Sequence, residues 1–238
     1  RLGDWGIMAA EAGFICILYA NVQSARPLVA PFGGSDARFV TNPYCTAIPA
    51  TEKHPMFVLD MATSTIAMGK ARVAQLSGNP APEGALIDAQ GNATRDPSVV
   101  FDGAGGALTA FGQHKGFGLA LLGDILGGSF SGGGAYAPER EVPDRIVNNM
   151  MAILIDPNVF GLAQSFGVDV DSYTDWVKAS PAAPGTAGVQ FPGDPERRST
   201  AERSAKGIPL DPGTLAQLSE AARKAGVPAS EHLCSTSD

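Results

Sequence analysis

Three short apolar segments of strand length are spread along this chain, and each adjoins either a helix-like segment or a stretch rich in glycine and proline. They are residues 14–19, 57–60 and 150–155. Apolar runs of this length that are bounded by turn residues are typical of buried strands. Their irregular alternation with helical segments predicts an α/β fold in which a mixed sheet is flanked by helices.

Helices are predicted from residue composition, apolar spacing and stop signals. Residues 4–12 end at Gly13, and residues 61–76 end before Gly78, with Thr63 or Ser64 as the N-cap. Two further segments have the spacing of amphipathic surface helices. These are residues 169–178 and 210–226.

The segment 116–126 is apolar on nearly every face, which predicts a buried helix that begins near His114 and Lys115. Glycine follows so densely in residues 127–134 that a flexible stretch is expected there. Residues 27–43 and 79–106 contain many turn residues and are expected to be mostly irregular.

Charge and composition exclude several classes of protein. The chain has 17 Lys and Arg against 24 Asp and Glu, and no basic cluster, which argues against a nucleic-acid-binding protein. No apolar run approaches the roughly 18 residues of a membrane span. The three cysteines have no metal-ligand spacing, and we expect no metal site. Their odd number and wide separation fit a reducing compartment, so we expect a cytoplasmic protein.

The common catalytic and nucleotide-binding motifs are absent. No GxGxxG occurs despite 29 glycines, so the residues alone give no evidence for a Rossmann dinucleotide site. The chain also lacks GxxxxGK[ST], HExxH and the GxSxG turn, and the last absence argues against that type of hydrolase.

Two lysines are candidate site residues. Lys115 follows His114 at a predicted helix start, where the positive helix end and the lysine suit a phosphate or carboxylate. A lysine that only faces solvent is an equally good interpretation. Lys70 follows the strand 57–60, and a buried lysine there could orient or protonate an oxyanion. An exposed surface lysine is the commoner alternative.

Other polar residues are weaker candidates. Thr41 and Asn42 precede Pro43 on a stiff loop, and their hydroxyl and amide suit a carboxylate or carboxamide. An ordinary Asx-turn is the more frequent use of such residues. His54 and His232 lie in polar segments and are interpreted as surface residues.

Taken together, several segments resemble the malate/L-lactate dehydrogenase family of the non-Rossmann type, which includes ureidoglycolate, sulfolactate and piperideine-2-carboxylate oxidoreductases. The ordered set is specific, and three of its pieces most resemble the bacterial hydroxycarboxylate (hydroxyphenylpyruvate-reducing) dehydrogenases. The matching pieces, in order, are RLGDW, PFGGSDARFVTNP, LDMATSTIAMGKARVA, PEGALIDAQGNATRDP, GGALTAFGQHKGFGLALLGDILGG, NNMMAILIDP, FPGDPERR and KGIPL.

The resemblance implies a non-Rossmann NAD(P)-binding fold, with NAD or NADP as cofactor and a small 2-oxo or 2-hydroxy acid as substrate. It implies that Lys70 supports catalysis and that Thr41 touches the substrate. It also implies a set of cofactor-binding residues. They are Asp60, Met61, Ala62, His114, Lys115, Gly193, Asp194, Pro195 and Glu196.

The resemblance further implies about a hundred residues before Arg1, including the acid/base histidine. We therefore expect one incomplete domain, with a cofactor-binding lobe over about 20–155 and C-terminal helices over about 156–238, and we expect this fragment alone to be inactive. A homodimer is also expected. Two alternatives remain: a cyclic imino acid reductase on the same scaffold, and a non-catalytic fragment that only binds cofactor.

Overall fold

The computed structural model describes residues 1–24, 26–137 and 145–227; His232 and Cys234 lie outside these ranges. Helices and short strands alternate along the chain. The strands are β1 (Ile15–Gln23), β2 (Tyr44–Ile48), β3 (Phe57–Met61), β4 (Leu86–Ile87), β5 (Ala93–Thr94), β6 (Ala107–Leu108) and β7 (Val147–Ile155). The α-helices are α1 (Gly3–Glu11), α2 (Met68–Leu76), α3 (His114–Leu122), α4 (Ala163–Lys178), α5 (Asp194–Lys206) and α6 (Pro212–Lys224).

The larger sheet has the strand order β3-β2-β1-β7, and every neighbouring pair is antiparallel. Helix α1 packs on this sheet through a face of small residues. An added Cβ at Gly6 would lie 2.8 Å from the Sγ atom of Cys45, so only glycine allows the helix to approach β2 this closely. Leu18 and Cys16 of β1 complete this buried cluster.

The smaller sheet has the order β5-β4-β6 and sits over a second core. Val29, Leu86 and Leu108 are fully buried there. Ile66, just before α2, and Ala120, in α3, pack against them. The predicted irregular stretch 79–106 therefore contains two short strands and a short 3₁₀-helix, Pro97–Val100.

The α/β fold class is confirmed, and so are strands at the three predicted apolar segments. In the described residues the ladders are antiparallel, and parallel pairing is limited to the isolated bridge between Val29 and Leu108. Helices over 4–12 and 210–226 are confirmed to within two residues; the helix predicted over 169–178 is also present, but α4 begins earlier, at Ala163. Helix α5 had not been predicted, because its sequence has almost no apolar face.

The predicted helix over 61–76 is wrong in its first half, since α2 begins only at Met68. Thr63 does not cap it. The N–H of Thr63 donates to the carbonyl of Thr41 over 2.9 Å, and Ser64 bridges to Ala110. Pairing with neighbouring segments therefore replaces the helical hydrogen bonds of residues 62–66.

The glycine-rich stretch was wrongly expected to be flexible, because its first part is helical. A π-helix, Gly123–Phe130, continues directly from α3 and packs against β1. The expectation of an all-round buried helix over 116–126 is also wrong. Small residues such as Ala120 and Gly123 face the core, whereas Leu121 and Ile125 are exposed.

In the described part of the chain, no helix combines the length and apolar character needed to cross a membrane.

Candidate functional site

The segment that leaves β3 is hydrogen-bonded on both sides to other loops. Both the N–H and the Oγ1 of Thr63 donate to the carbonyl of Thr41 over 2.9 Å. The carbonyl of Thr63 accepts from the N–H of Phe111 over 3.0 Å, and Thr65 N–H donates to Thr109 over 2.8 Å. The structure thereby brings together three predicted site regions: Thr41, the end of β3, and the start of α3.

Helix α3 begins at His114, as predicted. Gln113, just before it, has a φ of 58°, which turns the chain sharply into the helix. The ring of His114 packs edge-on against Phe32, with centroids 6.0 Å apart. Lys115 is exposed, and no carboxylate of the described residues pairs with it. Its charge therefore adds to the positive end of the helix, an arrangement that suits an anion.

A cavity of about 210 Å³ opens beside this helix start. One wall is the loop that carries Phe32 and Gly33, and the other is formed by Thr109, Ala110 and Gln113. The cavity borders the helix end that carries His114 and Lys115. Gln113, the residue just before the helix, is the part of the helix start that lines the cavity.

Lys70 lies in the first turn of α2 and is exposed, so the interpretation as a buried lysine is wrong. The sheet geometry also removes the argument that Lys70 is a ligand-binding residue because it follows the strand 57–60. Ligands gather at the carboxyl ends of parallel strands, whereas β3 pairs antiparallel with β2 and no such common edge exists here. What remains is an exposed ammonium group that follows the Thr63 segment in the chain and has no carboxylate partner among the described residues.

Asp60 and Met61 end β3, opposite Cys45 and Tyr44. The Oδ2 of Asp60 accepts a hydrogen bond of 2.8 Å from the N–H of Gly3. Burial, aided by the nearby charge of Asp60, raises the pKa of the Cys45 thiol to about 12. Asp60 therefore connects the end of β3 to the first turn of α1.

The stretch Gly193, Asp194, Pro195 and Glu196 forms the start of α5 and does not join the cluster around Thr63 through any hydrogen bond between described residues. It is attached to β3 nearer that strand's beginning, where the N–H of Val58 donates to the carbonyl of Pro192 over 3.2 Å. The sequence could not indicate this placement, because it depends on how the C-terminal segment packs back on the sheet.

The carboxylate of Asp194 is held by its own neighbours. It accepts from the N–H of Phe191 over 2.9 Å and from Nη2 of Arg197 over 2.6 Å, and Lys178 lies 3.7 Å away. Burial opposes ionisation of Asp194, but these hydrogen bonds outweigh it and hold its pKa below the ordinary value. A cavity of about 380 Å³ lies here, between the β2–β3 connection and α4.

Some polar residues had been overlooked or misjudged. His54, interpreted as a surface residue, is partly buried, and its Nε2 lies 2.9 Å from Oδ1 of Asp175. Asp124 was not singled out, yet it is buried in the π-helix and accepts from Nδ2 of Asn21 over 3.3 Å. A lone acidic residue within the apolar run 117–126 was the available signal. Across the described residues, no group of His, Cys, Asp or Glu has the geometry of a metal site.

Fold and site together define an α/β protein in which short antiparallel sheets and helix starts, rather than a Rossmann motif, surround the candidate ligand surfaces. The model of the family described as malate/L-lactate dehydrogenase matches residues 1–219. This chain therefore belongs to the malate/L-lactate dehydrogenase family, as the sequence motifs predicted.

Curated relatives agree. The chain is 42% identical over 230 residues to hydroxycarboxylate dehydrogenase B of Escherichia coli K12, which covers 96% of this chain and 63% of the relative. It is 42% identical over 209 residues to an L-lactate dehydrogenase of Cupriavidus necator, covering 86% of this chain and 58% of the relative. The chain thus spans somewhat less than two thirds of the length of these relatives.

Solved structures are similar as well. An E. coli protein assigned to the malate/lactate dehydrogenases matches with a TM-score of 0.88 and 41% identity, over 96% of this chain and 63% of that one. Sulfolactate dehydrogenase of Methanocaldococcus jannaschii matches with a TM-score of 0.73 and 30% identity, over 94% and 63%. These similarities support the same fold over nearly the whole chain.

Proposed function

We propose that a protein containing this chain is an oxidoreductase that transfers a hydride between NAD or NADP and a 2-hydroxy or 2-oxo carboxylic acid. The observation that carries the proposal is the family match over residues 1–219, together with relatives named as hydroxycarboxylate and L-lactate dehydrogenases. When bound, the nicotinamide cofactor supplies or accepts the hydride, and the protein binds and orients it.

The residues at the end of β3 and the start of α3 are proposed to hold the cofactor. The positive end of α3 and the exposed Lys115 suit a cofactor phosphate, and the adjoining cavity gives it room. Asp60, Met61 and Ala62 lie at the strand end next to Thr63, which is hydrogen-bonded to Phe111 and so to the α3 side. The helix start Gly193–Glu196 is proposed as a further cofactor contact.

Thr41 and Lys70 are proposed to serve the acid substrate. The carbonyl of Thr41 is fixed by two hydrogen bonds from Thr63, which leaves its backbone little freedom. Lys70 is proposed to stabilise the negative charge that develops on the substrate oxygen, since an exposed ammonium without a described ionic partner is available for that task. The homodimer, the cytoplasmic location and the two-lobe division stay predictions.

A cyclic imino acid is the second candidate substrate. The Δ1-piperideine-2-carboxylate reductase of Pseudomonas syringae has a similar structure, with a TM-score of 0.68 and 27% identity over 92% of this chain. In that reaction the hydride reaches the carbon of C=N instead of C=O. A chain that binds cofactor without turnover is the third possibility.

The test is an activity assay of the full-length product of the gene that encodes this chain. Oxidation of NADH and of NADPH is followed by absorbance with pyruvate, 2-oxoglutarate, phenylpyruvate and a cyclic imine. Turnover of the keto acids supports the proposal, and turnover of the imine alone favours the second candidate. Cofactor binding without turnover of any substrate favours a protein that only binds cofactor. If neither cofactor binding nor turnover is found, the proposal is contradicted. The 238-residue chain is assayed beside it.

Lys70→Ala in the same full-length product tests the proposed catalytic role. We expect turnover to fall about a hundredfold, because a preorganised charge near a developing oxyanion has that order of effect, while the Kd for NADH changes little. Arg72→Ala, another exposed cation of α2, is the matched control and should leave turnover unchanged. Equal turnover of the Lys70 variant and the wild type would remove Lys70 from the mechanism.

A further inference from the structure

Asn42 follows Thr41 and is fully buried with a positive φ of 26°. Few residues other than glycine adopt such a backbone, and they persist where the surroundings over-determine them. Here the Nδ2 of Asn42 donates to the carbonyl of Ala120 in α3 over 3.1 Å, and its Oδ1 accepts from the N–H of Val22 over 3.3 Å. Asn42 thus joins the loop of Thr41 both to the end of β1 and to α3.

The backbone of Asn42 is held as well as its side chain. Its carbonyl accepts a hydrogen bond of 3.0 Å from Oγ1 of Thr63, which also donates to Thr41. Every hydrogen-bonding group of the side chain and the carbonyl is therefore used inside the protein. The conformation of Thr41 follows from that of Asn42, because the two residues share a peptide bond and the partner Thr63.

The start of the π-helix packs closely against Asn42. An added Cβ at Gly123 would lie 3.0 Å from the Cβ of Asn42 and 2.9 Å from the carbonyl oxygen of Ala20, so glycine is required for this approach. The contact brings Asp124 beside the amides of Asn21 and Asn42. Burial raises the pKa of the Asp124 carboxyl, and those two amides offset part of the effect.

We propose that Asn42 and Asp124 form a positioning pair that fixes Thr41 for the carboxylate of the 2-oxo acid. The inference rests on the proposed function, because Thr41 is assigned to the substrate there. Asn42 acts through Thr41, and Asp124 acts through its hydrogen bond with Asn21 and through the contact that its neighbour Gly123 makes with Asn42. The pair lies at the Ala120 end of α3, at the other end of the helix from the start that is proposed to bind cofactor phosphate, so substrate affinity and cofactor affinity should respond differently to its loss.

Asn42→Gly in the full-length product is the first test. Glycine accepts the positive φ without strain and removes both side-chain hydrogen bonds. We expect the KM for the 2-oxo acid to rise about tenfold, the effect of one or two lost hydrogen bonds, while kcat and the Kd for NADH change by less than about threefold. Asp102→Gly places glycine at an exposed residue with a φ of 51° and should change none of these three constants.

Two substitutions of Asp124 separate positioning from packing. Asp124→Asn keeps an oxygen acceptor for Asn21 and should retain a KM near that of the wild type. Asp124→Ala removes the acceptor and should raise the KM as Asn42→Gly does. An unchanged KM in both Asn42→Gly and Asp124→Ala would overturn the proposal, and so would parallel rises of the KM and the Kd for NADH.

Amide hydrogen exchange gives a readout that does not depend on turnover. Peptides that cover residues 40–44 should exchange faster in Asn42→Gly and in Asp124→Ala than in the wild type or in Asp124→Asn. Equal exchange in all four proteins would overturn the positioning role. A wild-type protein without hydride transfer would contradict the proposed function separately, while the exchange data still decide whether the pair holds Thr41.

Discussion

The Oδ2 of Asp60 lies 2.8 Å from the backbone nitrogen of Gly3, the first residue of α1. A carboxylate therefore accepts one of the N–H groups that a helix leaves unpaired at its start, at the positive end of the helix dipole. An added Cβ on Gly3 would lie 2.8 Å from the same oxygen. The contact fastens α1 to the end of β3, close to the candidate site.

Asp60→Ala should lower the free energy of unfolding by about 1–2 kcal/mol, because the N–H of Gly3 loses its acceptor and the helix end loses a favourable charge. Denaturation by urea measures the change. Asp4→Ala, which removes an exposed carboxylate of the same helix paired with Arg1, should cost less than about 1 kcal/mol. Equal losses in the two variants would show that the Asp60 contact has no special role.

Gly127→Ala should destabilise the fold by about 1–3 kcal/mol, as overpacking does, because the new Cβ would lie 2.7 Å from the carbonyl oxygen of Tyr19 in β1. Gly118→Ala is the matched control in the preceding helix. Nothing lies within 4 Å of its added Cβ, so it should be neutral or stabilising by up to about 1 kcal/mol. Thermal unfolding of the two variants compares them, and a stable Gly127 variant would contradict the close helix–strand contact.

The buried thiol of Cys45 predicts a specific alkaline dependence of stability. Its pKa is about 12 in the folded chain against an ordinary value of 9.0. Below pH 9 both states keep the proton and the group contributes no pH dependence. Between 9 and about 12 the unfolded state ionises first, so stability falls by at most about 1.4 kcal/mol per pH unit.

Urea denaturation at several alkaline pH values should show this slope in the wild type and a shallower one in Cys45→Ser. Other groups that titrate in this range are common to both proteins, so the difference between the slopes isolates the thiol. The folded chain should also resist alkylation of Cys45 until urea unfolds it, because the thiolate is the reactive form. Rapid alkylation of Cys45 itself in the folded protein at pH 8, located by peptide mapping, would contradict the buried position.

Lys115→Met should weaken NADH and NADPH binding about tenfold, and the loss should shrink at high ionic strength, because an exposed lysine contributes mainly charge. Fluorescence titration of the full-length product gives both Kd values. Lys224→Met removes a lysine that pairs with Glu220 on the surface of α6 and should leave the affinities unchanged. Unchanged Kd values in Lys115→Met would contradict the proposed phosphate site at the start of α3.

Local features of this fold could be predicted from the sequence. The stop at Gly13, the start of α3 at His114 and the apolar strands depend on residues close together in the chain, and all three are found in the structure. The strand order could not be predicted. That β1 lies between β2 and β7 depends on pairing across more than half of the chain, and no local pattern encodes a partner.

Two wrong predictions, the helix start at residue 61 and the flexible glycine stretch, have a common physical origin. In both, the structure of the segment depends on which distant residues pack against it. Residues 61–67 contain helix-compatible residues, but Thr63 finds its hydrogen-bond partner in Thr41. Glycine suggests flexibility when it faces solvent, whereas Gly127 faces the carbonyl oxygen of Tyr19 and packs tightly. Candidate site residues such as Lys115 could be named from the motifs, but the role proposed for Asn42 depends on neighbours that only the structure shows.

The pairing of β1 with β7 also has a consequence for how the chain folds. The ladder runs from Ile15 opposite Ile155 to Gln23 opposite Val147, so it closes a very long loop. Closing such a loop costs entropy before the contacts repay it, which slows folding. During synthesis, β1 and β2 leave the ribosome long before β7 does. A nascent chain that stops before Val147 therefore carries an open strand edge, and such edges pair readily with other chains.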